Sequence, residues 1–449
     1  MKIVKLKRAT VRLSGTVFCL IIVFLRSLNA QQSAVYPLSL QQVLDIAKAQ
    51  NKQIQAAKSE ESATESDFKD AKAGGLPTIL ANSSYQRFTR LTLYNHGLSD
   101  IHSIPKAPTA NSADLGVSAN YNLYAGGRQR AAVAEQRSKK DLSTIITQEQ
   151  TGSVRLQSVD QYLDLIRLRD QKKFIDDQIL RAETRLKNIN ALYRNQKVTR
   201  SDVLRAELNL SNVKLNLQQV QNDFAIANQK LNVLLSLPDS THVFPTDSAS
   251  MLRPSLDSLL NLTSVTGAAA YGIRKAAEDI NIQEARIKGV KSFSSPVMSL
   301  YSAYGFSYPN TIFSPAVDQG YSIGFIGFRI QYNISSIYQN KHKVSASRIR
   351  LQELHFVQQN TTDQIKQEAG GLLIKYREAL NRIEVNQKSI EQAKANYKIV
   401  SAKYFNQLAL LTDLLDADNL FQETRYNLVD AETNAQLIYY RLLFTSGKL

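Results

Sequence analysis

The chain is 449 residues long, carries a formal charge of +16 and is 43% hydrophobic. A basic surplus can mean nucleic acid, but here Lys and Arg are spread among Glu, Asp and Gln along helical stretches, the pattern of solvated helix faces. A single cysteine excludes a disulfide framework.

The N-terminus opens with Lys2, Lys5, Lys7, Arg8 and Arg12, continues with an apolar run from Val17 to Leu25, and reaches Ala30 through small and polar residues. That is the layout of a secretory signal peptide, expected over residues 1–30 with cleavage after Ala30. Nine apolar residues are too few to cross a ~30 Å hydrocarbon core as a helix, so a retained anchor is the lesser reading. Cys19 lies within this run, and a lipoprotein cut before it would need small residues where Val17 and Phe18 stand. Cleavage leaves a chain without cysteine, hence without thiol chemistry or cysteine–metal sites. The leader holds six basic and no acidic residues, so subtraction from +16 leaves +10. No later stretch reaches 18 consecutive apolar residues, so no further transmembrane helix is expected.

Two copies of one unit follow. The first spans residues 31–236: a helix from about 39 to 72, two strands within 76–94 and 112–124, a long helix from about 128 to 195, and a helix from about 201 to 236. Residues 237–255, rich in Pro, Ser, Asp and Thr, form a linker. The second copy spans 256–449 in the same order, with strands within 296–308 and 320–334. An ungapped offset of 211 pairs Tyr193 with Tyr404, Asn195 with Asn406, Gln196 with Gln407, Asp202 with Asp413, and, upstream, Asn122 with Asn333 and Arg137 with Arg348. Repeats of this kind decide the fold before any single element does.

From Ser112 to Tyr124, Leu115, Val117, Ala119, Tyr121 and Leu123 alternate with Asp114, Gly116, Ser118, Asn120 and Asn122. In the second copy Ile326, Phe328, Ile330, Tyr332 and Ile334 alternate with Gly327, Arg329, Gln331 and Asn333. Apolar residues on one face with small and polar ones on the other is the pattern of a membrane barrel strand, although a half-buried soluble sheet alternates too. Tyr301, Tyr304, Phe306 and Tyr308 suit an interfacial aromatic girdle. Residues 95–111 and 309–320 hold Gly, Pro, Ser and Asn without periodicity and are expected as exposed loops.

The closing helix of the first copy carries Val203, Ala206, Leu210, Val213, Leu217, Val220, Phe224, Ala227, Leu231 and Leu234 at alternating spacings of three and four. Leu414, Ala417, Phe421, Thr424 and Leu428 repeat that seam, and the long helices carry it at Ile175, Ile179, Ala182, Leu186 and at Ile390, Ala393, Tyr397, Val400. This heptad spacing holds one stripe against a neighbouring helix. A second stripe, Leu204, Leu208, Leu215 and Ala225, suggests a second neighbour, as in a closed ring of helices. Four strands per chain cannot close a membrane barrel, because the smallest have about eight, and an open edge in lipid leaves backbone groups unpaired. Three copies would supply twelve strands and leave room for a lumen.

This ordered set resembles the outer-membrane efflux protein family, the TolC-like channels. The LSLQQVLDIAKAQN opening, the NLYAGG junction from strand to long helix, the tip turns and the duplicated unit carry the resemblance. It implies a mainly α fold with a β-barrel part: a homotrimeric, 12-stranded barrel in the cell outer membrane, continued into the periplasm by a helical barrel. The implied function is passage of substrates in a tripartite efflux or type I secretion system. The implied partners are a periplasmic adaptor (membrane fusion) protein, an inner-membrane RND or ABC-type transporter and outer-membrane lipid, with no nucleic acid. The family's tip pattern is similar to Tyr404, Asp413, Leu415 and Asp416 here, so Asp413 and Asp416 are candidate gate residues, with Asp202 their first-half counterpart. Three copies of each would make acidic rings that bind cations and whose mutual repulsion raises their pKa; Asp413 could equally cap the returning helix. The family often places an Arg four residues before the first Asp, where this chain has Ala409 in the apolar stretch Leu408–Leu411; either Arg200 or Lys197 in the neighbouring turn substitutes, or the apolar stretch is the surface on which the adaptor docks. Phosphate loops, His-Glu-x-x-His and Gly-x-Ser-x-Gly are absent and the five histidines are scattered. No enzyme, cofactor or metal is expected. The alternative is a soluble periplasmic coiled-coil scaffold or adaptor without a pore, which would lack lipid-facing strands.

Overall fold

The computed structural model describes residues 35–250 and 269–449. The leader, Cys19 and the opening of the second copy around Ser255 lie outside the described residues. The chain divides into two compact units, one of Met1–Ala57, Gln148–Tyr271 and Gln364–Leu449, the other of Lys58–Thr147 and Gly272–Asp363.

In chain order, β1 (Val35–Leu38) leads into α1 (Leu40–Gln50). Ser39 caps α1 reciprocally: its backbone N–H donates to Gln42 Oε1 at 2.8 Å, and its hydroxyl accepts from the Gln42 N–H at 3.4 Å. The first helix breaks at Asn51, whose extended backbone ends α1 while its Oδ1 accepts from the Gln53 N–H at 2.9 Å and so starts α2 (Lys52–Ala73). β2 (Thr78–Arg87), β3 (Leu91–Tyr94), β4 (Ile101–Ile104) and β5 (Asn111–Ala125) follow, then α3 (Arg128–Arg194) and α4 (Arg200–Leu235). β6 (His242–Pro245), α5 (Tyr271–Ser292), β7 (Val297–Tyr308), β8 (Tyr321–Gln331), the one-turn α6 (Ser336–Gln339), α7 (Lys341–Phe405) and α8 (Leu411–Thr445) complete it. No helix among the described residues is long and apolar enough to cross a membrane.

The second of these units holds an antiparallel sheet in the order β2-β5-β7-β8. The register sets Leu115 opposite both Ser83 and Phe306, Val117 opposite Tyr304, and Ser302 opposite Ile326. One face therefore carries Leu115, Val117, Tyr304, Phe306, Ile326 and Phe328, all exposed. The other carries Ser84, Asp114 and Ser307, with Asp114 accepting from both hydroxyls at 3.4 and 2.7 Å. Within the described chain, β2 and β8 have no further strand at their outer edges. A bulge at Leu123, between the pairs Asn122↔Ser299 and Tyr124↔Met298, takes that residue out of the alternation expected of it. The chain then turns at Gly126 (φ +61°), where a Cβ would stand 2.5 Å from the Ser295 Cβ, so only glycine fits where strand becomes helix.

The segment expected as a loop over 95–111 contains β4, which pairs with β3 through Leu91↔Ile104 and Tyr94↔Ile101. Ile101 and Ile104 of β4 are three positions apart, so no alternation marks this strand in the sequence. The corresponding segment over 309–320 has one bridge, Asn310↔Val317.

In the other unit α1, α3 and α4 share a core of Val43, Leu44, Tyr162, Ile166, Leu231 and Leu235. Burying each large side chain stabilises by roughly 1.5–3 kcal/mol. The seam expected on α4 is buried at Val203, Ala206, Val213, Ala227 and Leu231, but at its end Leu235 rather than Leu234 is enclosed. The linker is also more ordered than its composition suggests. β6 pairs in parallel with β1, the Asn228 side chain holds Thr241 O (2.7 Å) and the Val243 N–H (2.8 Å), and Arg169 donates to Pro245 O and Asp247 O. The Tyr162 hydroxyl lies within hydrogen-bonding distance of Leu38 O (2.7 Å) and Asp247 Oδ2 (3.0 Å), and burial pushes it up to about 12.

Candidate gate at the helix tips

Two arms end in similar turns. The Lys197 N–H donates to Leu192 O and the Leu408 N–H to Lys403 O, each at the end of a long helix. The residue before the donor is Gln196 (φ 57°) in one arm and Gln407 (φ 63°) in the other. This is the Schellman closure, and a left-handed Gln stands where glycine is usual. Both turns are side by side in one apolar cluster of Ile189, Val203, Ala206, Tyr404, Leu411 and Leu414.

The helices that return from the turns are capped differently. Thr199 and Asp202 form a full reciprocal box: the Asp202 carboxylate accepts from the Thr199 N–H at 2.9 Å, and the Thr199 hydroxyl accepts from the Asp202 N–H at 3.3 Å. In the second arm Asp413 Oδ2 accepts from the Leu410 N–H at 3.0 Å, but Leu410 has no oxygen to return the bond. Asp413 and Asp416 are exposed, and Asp202 is half-exposed. Tyr404 is 6% exposed and its hydroxyl has no partner among the described residues. Burial, with the Asp202 charge adding to it, raises the Tyr404 pKa above the usual tyrosine value, and Arg185 partly offsets this. The structure thus gathers Tyr404 and Asp202 at one cluster and leaves Asp413 and Asp416 on the exposed side of α8.

Lys197 and Arg200 are exposed, and Ala409 packs against the apolar cluster. The charged contact between arms is elsewhere. Asp418 on α8, 1% exposed, accepts from Arg181 Nε at 2.9 Å and Arg185 Nη2 at 2.5 Å, both on α3. Next to it, Arg181 lies 5.7 Å from the centre of the Phe421 ring, which stacks on Tyr397. Arg425 lies 3.8 Å over Phe174 and donates to Asp177 at 3.0 Å. The sequence reading passed over Asp418; the available signal was an Arg pair four residues apart on the long helix, facing an Asp one place beyond the seam residue Ala417. Exposed carboxylates can bind cations, while the buried Asp418 pair binds one arm to the other.

The sequence profile of the outer membrane efflux protein family matches residues 43–236. Over those residues the chain is similar to the outer membrane efflux protein family. Solved structures share the fold. The Vibrio cholerae outer membrane protein VceC superposes with a TM-score of 0.76 at 16% identity, over 91% of this chain and 96% of its own. The Campylobacter jejuni outer membrane channel CmeC gives 0.74 at 16% identity, over 91% and 85%. The open state of the Neisseria gonorrhoeae outer membrane channel MtrE gives 0.71 at 17% identity, over 91% and 89%. No curated protein sequence matches the chain. Among the described residues, no cluster of His, Cys, Asp or Glu is placed to hold a metal ion.

Proposed function

We propose that three copies of this chain form the outer-membrane channel of a tripartite efflux or type I secretion system. The observation that carries this is the four-stranded sheet with two open edges and an exposed apolar face. Such a sheet is stable in lipid only when its edges are paired, and three copies supply twelve strands around a lumen. The likeness to CmeC and MtrE, described as outer membrane channels, supports the same reading. On it, residues 1–30 are the export signal, 31–236 and 256–449 are the two structural repeats, and 237–255 joins them.

The helices then reach a periplasmic adaptor and an inner-membrane RND or ABC-type transporter. The exposed apolar residues Leu408 and Leu410 between the turn and α8 offer the adaptor a contact. Asp413 and Asp416, three copies each, line the narrow end as acidic rings that favour cations. Tyr404 and Asp202 hold the turns behind them, and Asp418 with Arg181 and Arg185 keeps α8 against α3.

Planar-bilayer recording tests the gate. Asp413→Ala with Asp416→Ala is expected to raise conductance and weaken block by polyvalent cations; unchanged conductance and block would remove both residues from the gate. Assembly has a separate test. A mature protein that is monomeric and soluble without detergent would end the channel reading altogether.

A further inference from the structure

In the sheet-bearing unit a cavity of about 500 Å³ opens among the first turns of α3, the last turns of α5 and the early turns of α7. Its floor is made of small side chains. Ala131 and Ala285 are buried, and a Cβ added at Gly289 would stand 3.7 Å from the Ala131 Cβ, so α3 and α5 approach closely there. Ala132, Val290 and Phe293 complete an apolar surface. Gln283, also buried, is spent on Ser347 O at 2.9 Å.

The charges around this surface are predominantly positive. Arg128, Arg286 and Arg350 line the cavity against a single carboxylate, Glu135. Glu135 accepts from Arg286 Nε at 3.0 Å and from Lys139 Nζ at 2.9 Å. Its burial works against ionisation, but these two cations outweigh it and hold its pKa below the ordinary value. Arg128 packs its guanidinium 4.1 Å over the Phe293 ring, which leaves the guanidinium edge and its N–H groups for a ligand. Arg128 follows the end of β5 by three residues, and Phe293 precedes the start of β7 by four. Arg128 and Phe293 therefore lie within about one helical turn of strand ends.

We propose that this cavity binds an anionic amphiphile. A phosphate or carboxylate head is held by Arg128, Arg286 and Arg350, and the apolar part lies on Ala131, Ala132, Gly289 and Phe293. The volume falls in the ~300–1,000 Å³ range of small-molecule sites, and a mostly apolar lining with a few convergent polar groups is their usual construction. A bare anion would leave the floor uncovered, and a neutral amphiphile would leave the guanidinium excess unmatched. The ligand could come from the membrane, as an anionic phospholipid, or from solution, as an amphiphilic solute.

The chain has no tryptophan, so Phe293→Trp in the full mature protein gives a single fluorescent reporter at the rim. In dodecyl maltoside, dodecyl phosphate is expected to change its emission saturably, while inorganic phosphate and additional dodecyl maltoside do not. Arg128→Gln with Arg350→Gln in the reporter background should raise the midpoint about tenfold or more, as expected for the loss of a charge-assisted contact. Ala132→Phe, at an exposed position that fills the cavity without crowding the core, should do the same. Nanodiscs separate the sources: a changed emission in phosphatidylglycerol over phosphatidylcholine points to lipid, and a response to added deoxycholate in phosphatidylcholine points to solute. No saturable change, an equal response to inorganic phosphate, or an unmoved midpoint in the Gln variants would overturn the proposal. Native mass spectrometry of the protein with Phe293 intact guards against a reporter that distorts the site. Dodecyl phosphate adducts should be retained there and lost in the double Gln variant; equal retention would likewise overturn it.

Discussion

The two returning helices, α4 and α8, descend from one unit yet face opposite surroundings. On α8, Asp418, Gln422, Thr433 and Gln436 are buried among partners in the same chain. Gln422 donates to Phe174 O on α3 at 2.7 Å, while Ala431, Ala435 and Ile438 pack with Ala369, Tyr376 and Ala379 of α7. On α4, the residues 211 positions earlier run the other way. Glu207 and Ser211 are exposed, and Leu208 and Leu215 are 62% and 63% exposed. Thus α8 finds two helical neighbours within its own chain and buries polar groups with matched partners. α4 leaves an apolar flank uncovered at Leu208 and Leu215. The two helices have the same place in the chain order, while their side chains follow different surroundings.

The comparison can be broken most severely at Asp418. Asp418→Ala leaves two guanidinium groups without their carboxylate and should cost about 3–5 kcal/mol, whereas Glu207→Ala at the matching site should be nearly neutral. Thermal unfolding of the two variants measures the gap, and equal melting temperatures would erase the distinction drawn between the arms. The exposed flank comes next. Leu208→Ser with Leu215→Ser should leave each chain folded but weaken association, by roughly 1.5–3 kcal/mol for each side chain otherwise buried between copies. Size-exclusion chromatography in detergent with light scattering reads this out, and a trimer that persists undiminished on dilution would assign that flank another role.

Alkali sharpens the same contrast. Tyr426 on α8 stacks on Phe174, and burial pushes its hydroxyl from 10.0 up to about 12, with Arg425 and Arg181 opposing; its counterpart on α4 is Leu215. Because the folded pKa is raised, the fold gains from the protonated phenol fully below pH 10, and that gain is lost as pH rises towards 12. Tyr426→Phe cannot ionise, so its alkaline unfolding midpoint should move upwards with little change at pH 7. Tyr162 titrates in the same window, but its hydroxyl lies within hydrogen-bonding distance of two acceptors, Leu38 O and Asp247 Oδ2, which makes it the poorer probe. The caps give the smallest effects. Thr199→Ala should cost about 1 kcal/mol, and Leu410→Thr, which completes the unfinished box with Asp413, should gain about 0.5–1 kcal/mol. Denaturant midpoints at constant m-value measure both.

Periodic features were legible in the sequence because they repeat within one element. The heptad seam of α4, the alternation in β5 and the matched turns at Gln196 and Gln407 all have that local origin. Features that depend on distant partners were not. The β1–β6 pair joins residues about two hundred positions apart, and neither four-residue strand has enough alternation to announce itself. The break at Asn51 interrupts a helix whose apolar pattern continues across it, with Val43, Ala47 and Ile54 all buried on one side. Asp418 was overlooked for a similar reason: charge pairing across three-dimensional space has no period. At the tips, Asp202 and Asp413 were legible as caps, but the half-finished box at Leu410 shows only once the donor and acceptor are in place.

The unpaired outer edges of β2 and β8 bear on how the protein is made. On the trimeric reading a single chain meets the membrane with an incomplete ring, and completion depends on two further copies arriving. The yield of closed rings then follows the cube of the free chain concentration, so halving the supply cuts it about eightfold. On that same reading, a slow supply of chains leaves more strand edges open to aggregation for each ring completed.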